Sequence, residues 1–219
     1  RLRGEFVDWF AQPPGSKTPT SRYDFIGNKF QLGLRLTHPW FELFAQFQDS
    51  TVGNLPTDGV GVGATYFANT HRELQNGTIL RNAWLSTNRL FGVSGLLAKG
   101  GRMLYSDGAE AKAHSATLKW IQNYRISQRL IGPFDYTHVG RSFDGGVLGY
   151  AGERGNVTGF FFNPTFGGFD INANPQLNIN TAGLSLNLDE AEEVALMAQI
   201  LGRFVADMTK ATSLNIVAV

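Results

Sequence analysis

Apolar and polar residues alternate with a period of two in segment after segment of this chain. Over residues 27–37, Phe30, Leu32, Leu34 and Leu36 fall on one side and Gln31, Gly33, Arg35 and Thr37 on the other, as successive side chains of a strand do. Residues 41–49 repeat the pattern, with Phe41, Leu43, Ala45 and Phe47 opposite Glu42, Phe44, Gln46 and Gln48. Strands are also expected over 1–12, 80–87, 93–105, 142–151, 156–163 and 177–187. Two of these are irregular. Phe160, Phe161 and Phe162 stand in a row, and in 177–187 the apolar phase switches from Leu177 and Ile179 to Ala182, Leu184 and Leu186, as a bulge would cause. Residues 193–205 and 213–219 read as a ninth and a tenth strand. A helix competes there, because Asp189 with Glu192 forms a capping pair and Val194, Met197, Ala198 and Leu201 have helical spacing.

The connectors alternate in length. Those at 37–40, 88–92, 152–155 and 188–193 are tight. Those at 13–26, 50–79, 106–141 and 164–176 are long and rich in Gly, Pro, Asn and Asp. A meander places alternate connectors at opposite ends of its sheet, so one rim is trim and the other elaborate, the asymmetry of an outer-membrane barrel. The expected fold is therefore all-β: an antiparallel up-and-down transmembrane β-barrel with about ten strands here, in one domain over residues 1–219. A chain ending at Val219 without a terminal aromatic leads to the expectation that further strands complete a larger barrel.

Composition agrees without deciding. Nineteen basic residues against 18 acidic ones give no bulk signal for nucleic-acid binding, and the absence of cysteine excludes disulfides and thiolate metal sites. No run of about 18 apolar residues forms a membrane helix, a test that barrel strands escape. Arg1 opens no signal-peptide pattern, so a mature or trimmed start is expected. Trp9, Trp40 and Trp84 lie in or beside strands, where a barrel carries aromatic girdles and a soluble protein its core.

Few motifs carry chemistry. Gly59–Ala64 superficially matches a dinucleotide fingerprint, but no βαβ unit surrounds it and it reads as flexible loop. The histidines His38, His71, His114 and His138 are scattered, with no metal-ligand spacing. No serine has the setting of a hydrolase nucleophile. No catalysis, cofactor or metal is expected. Residues 106–141 are richer: Leu118, Ile121, Arg125 and Ile126 have helical spacing, Lys119, Arg125 and Arg129 make the segment basic, and Gly132-Pro133 ends it. Such a loop either lies in solvent or folds inward as a constriction whose arginines attract anions.

Arg129-Leu130-Ile131-Gly132-Pro133-Phe134, followed by Thr137-His138-Val139-Gly140-Arg141-Ser142-Phe143-Asp144-Gly145, resembles the bacterial alginate-export family of outer-membrane porins. Phe44–Asp49 and Leu80–Leu85 resemble its early strands. The resemblance, spanning about residues 1–150, implies a large monomeric barrel exporting anionic polysaccharide past arginines. It implies a pore-lining or selectivity role for Arg129, Arg141 and Asp144, with Arg141 and Asp144 in one charged network, and less securely for Arg81 and Arg102. Arg35 joins them by its polar strand face. The expected partners are the outer-membrane bilayer, an anionic solute or polysaccharide, and an envelope protein, with no nucleic acid. Two alternatives stay open: a plugged scaffold barrel housing an electron-transfer protein or lipoprotein, and a soluble lipocalin-like ligand-binding barrel.

Overall fold

The computed structural model describes residues 1–8, 22–108, 115–128, 131–152, 155–188, 200–207 and 211–218. Ten strands form one sheet: β1 Leu2–Asp8, β2 Arg22–Thr37, β3 Glu42–Gly53, β4 Gln75–Thr87, β5 Leu96–Met103, β6 Phe143–Gly152, β7 Gly155–Pro164, β8 Ile179–Leu188, β9 Ile200–Asp207 and β10 Ala211–Ala218. Their order in space is their order in sequence, every pair is antiparallel, and β1 and β10 are the two edges. The protein is thus an all-β, up-and-down meander, and the sheet is open. The capping pair Asp189 and Glu192 lies outside the described residues, as do Trp9, His114 and Arg129.

One face of the sheet is bare and apolar. Along β2 the exposed residues include Phe30, Leu32 (64 %), Leu34 (72 %) and Leu36. They align with Asp49, Phe47, Ala45 and Leu43 of β3, so the greasy positions form a cross-strand band. Phe6, Leu85, Leu148, Phe161 and Leu184 extend it across the sheet. The triple Phe160–Phe162 keeps the alternation after all: Phe161 is bare while Phe160 and Phe162 are buried on the other face.

The opposite face is covered at one end by the long connectors. Helix α1, Val62–Thr70, begins after Gly61 and corrects the reading of Gly59–Ala64 as mere loop. The Tyr23 hydroxyl accepts from the Gly63 backbone N–H, meeting one orphan donor of its first turn. Phe25, Val52, Tyr66, Ile79, Val139 and Ile171 form the cluster beneath. This cluster explains why β2, β3 and β4 run several residues past their expected ends. There the inner side is apolar while the outer side carries Arg22, Asp24, Asn76 and Thr78, so the apolar phase reverses while the ladder continues. Short helix α2, Ala116–Ile121, is capped by Ser115 and continues into one π turn.

The bulge lies in β4 and not in β8, whose ladders to β7 and β9 are continuous. Gln46 pairs with Asn82 while Phe47 pairs with Leu80, leaving Arg81 as the extra residue. Arg81 and Asn82 can therefore both face the covered side. In β8, Ile179 shares the phase of the buried Thr181, which accounts for the switch without a bulge.

Backbones approach closely where β4, β5 and β6 meet. Gly101 holds φ of +119°, and a Cβ there would run into the Ala83 carbonyl. A Cβ on neighbouring Gly100 would meet nothing nearer than 4.0 Å. Gly101→Ala should lower stability to urea unfolding by about 1–3 kcal/mol, while Gly100→Ala should change it by no more than about 0.5–1 kcal/mol, on the stabilising side. Tryptophan fluorescence of the refolded chain reads both, and equal effects would contradict this packing.

Candidate functional site

The covered face has a polar floor on which the loop 131–142 is seated. Gln48, fully buried, donates from Nε2 to the carbonyl of Val139 at 2.9 Å and to that of His138 at 3.2 Å. The Ser50 hydroxyl donates to the same His138 carbonyl at 3.2 Å. Gln31 in turn donates to Gln48 Oε1 at 2.7 Å, so the amide is held from both sides. The His138 N–H donates to the Tyr66 hydroxyl, tying α1 to the loop. The Gln48 amide, the Ser50 hydroxyl and the His138 and Val139 carbonyls are thereby satisfied.

Arg81 is fully buried and forms an ion pair with Asp135 of the same loop. It therefore fastens the loop to β4 and does not line open water. Gly140, with φ of +72°, leaves the space that the Arg81 guanidinium fills. Ser142 Oγ donates to the Arg81 carbonyl at 2.8 Å. Beyond residue 83 toward its start, β4 has no β5 neighbour. Its exposed edge is satisfied instead by Asn174, which accepts from the Leu80 N–H at 3.0 Å and donates to the Thr78 carbonyl at 3.2 Å. A strand edge left unpaired is otherwise a liability.

Arg102 and Asp144 form a bidentate pair at 2.6 and 2.7 Å across β5 and β6. Their neighbours Met103 and Phe143 are buried on the covered side, so by alternation this pair lies at the bare face. Gln176 donates to Asp144 and Arg102 donates to Asn174. The expected network of Arg141 with Asp144 is thus corrected: the two belong to different sides of the sheet, and Asp144 has Arg102. Arg129 lies outside the described residues.

Further along the covered face, below the loops, the lining is open and mixed. Arg35 pairs with Glu42 at 2.7 Å and stands over the Phe44 ring at 5.0 Å. Lys99 stands over Trp84 at 4.0 Å, an arrangement that holds a cation without neutralising it. Sequence reading passed over Lys99, because the glycines around it blur the alternation of β5; register with Ser86 is what places it here. Arg141 is separate again, over the Phe134 ring at 5.1 Å in the mouth of the loops. No family model, curated protein or solved structure matches this chain.

His138 is the sensitive point of the seating. Burial, and then the charges of Arg3, Arg1 and Lys29, hold its imidazole down to about 4 from an ordinary 6.5. The seated loop disfavours the proton that a displaced loop accepts, so seating is intact above about pH 6.5 and weakens as pH falls toward 4. Hydrogen exchange of 131–142, corrected for intrinsic rates, should show protection falling over that window. His138→Gln should flatten the profile; an unchanged decline in the variant would remove His138 from the cause.

Proposed function

We propose that this chain forms the wall of an outer-membrane channel, with the bare face toward lipid and the covered face toward water, passing small or polymeric anionic solutes by selective diffusion. The observation that carries the reading is the separation of the two faces. A continuous band of Leu and Phe is exposed on one side, while Gln31, Gln46, Gln48, Asn82 and Arg35 are gathered on the other. Water outside would leave the band unexplained, since a contiguous apolar surface of this kind marks a membrane or an interface. A lipocalin-like barrel would instead turn that band inward around a ligand.

Further features support the assignment. The tight connectors carry exposed Trp40 and Phe91, the latter 90 % exposed, residues suited to a membrane–water interface. The resemblance of the 129–134 and 137–145 blocks to alginate-export porins points the same way. In the membrane, β1 and β10 must find partners, in each other or in further strands, because lipid satisfies no backbone group. Selectivity is assigned to Arg35 and Lys99, two cations facing one carboxylate, Glu42, on an open wall. The solute would be drawn by that excess of positive charge.

The seated loops favour a second reading, a plugged scaffold barrel that receives an envelope protein such as an electron-transfer protein or lipoprotein. Planar-bilayer conductance separates the two. A channel gives steps with an anion-selective reversal potential in a salt gradient, and Arg35→Gln with Lys99→Gln moves that potential toward zero. A silent bilayer favours the scaffold, and an unmoved potential removes these two cations from selectivity.

A further inference from the structure

A cavity of about 500 Å³ opens between residues 127–128 and 131–136 on one side and strands β6–β8 on the other, within the roughly 300–1,000 Å³ range of small-molecule sites. Ile131, Phe134, Phe143 and Ile179 form its apolar wall, Gln128, Tyr136 and Thr181 are among its polar lining, and Arg141 is the cation among its described residues. None of its described lining residues is acidic.

Arg141 differs from the other described arginines singled out by sequence. Arg35 has Glu42, Arg81 has Asp135 and Arg102 has Asp144. Arg141 has no ion-pair partner among the described residues, and its Nε is buried without a hydrogen bond. Burial lowers its pKa, so this half-buried guanidinium is partly desolvated and has no counter-ion among the described residues. A partly desolvated cation without a counter-ion gains from an anion that pairs with it. Its backbone N–H is fixed to the Pro133 carbonyl, and Phe134 is held against the guanidinium face. Both Gln128 (φ 63°) and Phe134 (φ 53°), which line the cavity, adopt the left-handed region that side chains avoid. Strain of this kind persists where surrounding structure enforces it and gathers at ligand clamps.

We propose that this cavity binds a small organic carboxylate with an apolar body, its carboxylate on the Arg141 guanidinium and its body between Phe134 and the strand wall. The guanidinium fork matches a carboxylate in bidentate geometry. Arg141 as the one cation among the described lining residues suits a monoanion better than a phosphate dianion. The continuous apolar stretch of Ile131, Phe134, Phe143 and Ile179 favours an apolar body over a sugar acid, whose many hydroxyls would meet, of the described residues, only Ser127, Gln128, Tyr136 and Thr181. The site narrows the solute class of the proposed channel and rests on that reading for its place in transport, though binding itself does not need a pore.

The test uses the refolded full chain in detergent micelles, titrated calorimetrically with 2-naphthoate, the neutral 2-naphthylmethanol and galacturonate. Naphthoate should bind saturably and about tenfold or more tighter than either of the others. Arg141→Gln should abolish that preference and Arg141→Lys should keep part of it. Ile179→Glu, which sets a carboxylate in the wall of the cavity, should abolish binding even if Arg141→Gln fails to fold. Equal binding of the alcohol, equal binding of galacturonate, or naphthoate affinity unchanged in Arg141→Gln or in Ile179→Glu overturns the proposal. Loss of the site with anion-selective conductance intact leaves the channel standing; binding without conductance leaves the site and removes the channel.

Discussion

The side-chain amide of Gln48 is the point from which the covered face is organised. It is fully buried, and it bonds loop carbonyls, the Ser50 hydroxyl and Gln31 together. Without it the carbonyl of Val139 would be buried unpaired, a loss of about 1–3 kcal/mol, and that of His138 would keep only the Ser50 hydroxyl. A strand that presents such a residue inward cannot also present it to lipid. The same alternation that buries Gln48 exposes Phe47, so seating of the loop and greasiness of the outer band follow from one register.

The β4 bulge extends this logic. By inserting Arg81 it delivers two successive side chains to the covered side, and Arg81 reaches Asp135 while Asn82 bonds Gln46. The block from Gly140 to Gly145, whose residues invited a functional reading, works chiefly as a seam. Gly140 makes room for Arg81, Ser142 satisfies a β4 carbonyl, Phe143 is core and Asp144 pairs with Arg102. Arg141 is the member of the block left with a charge and no ion-pair partner among the described residues.

The sequence made the meander legible wherever the two faces meet unlike surroundings. Leu32, Leu34 and Leu36 against Gln31 and Arg35 announce β2 because one face is bare and the other polar. Legibility failed where loops cover the sheet. Phe25, Val52 and Ile79 are apolar on the inner side and Asp24, Thr51 and Thr78 polar on the outer, so the ends of β2, β3 and β4 reverse the phase that marks their middles. Helix α1 was missed because Gly61 and Gly63 stand at its start, where they read as loop. The position of Arg102 at the bare face was not legible either, since it depends on counting phase through Gly100 and Gly101, which carry no side chain to mark it.

The account turns on which face of the sheet meets lipid, and the chain is suited to a direct measurement because it contains no cysteine. Nitroxide labels placed one at a time at positions 30 to 37 of β2, in protein reconstituted into liposomes, report contact with dissolved oxygen in lipid or with a water-soluble nickel chelate. Positions 30, 32, 34 and 36 should favour oxygen, and 31, 33, 35 and 37 the chelate, in strict alternation. Chelate access at all eight positions, or the opposite phase, would contradict a membrane wall built on this sheet.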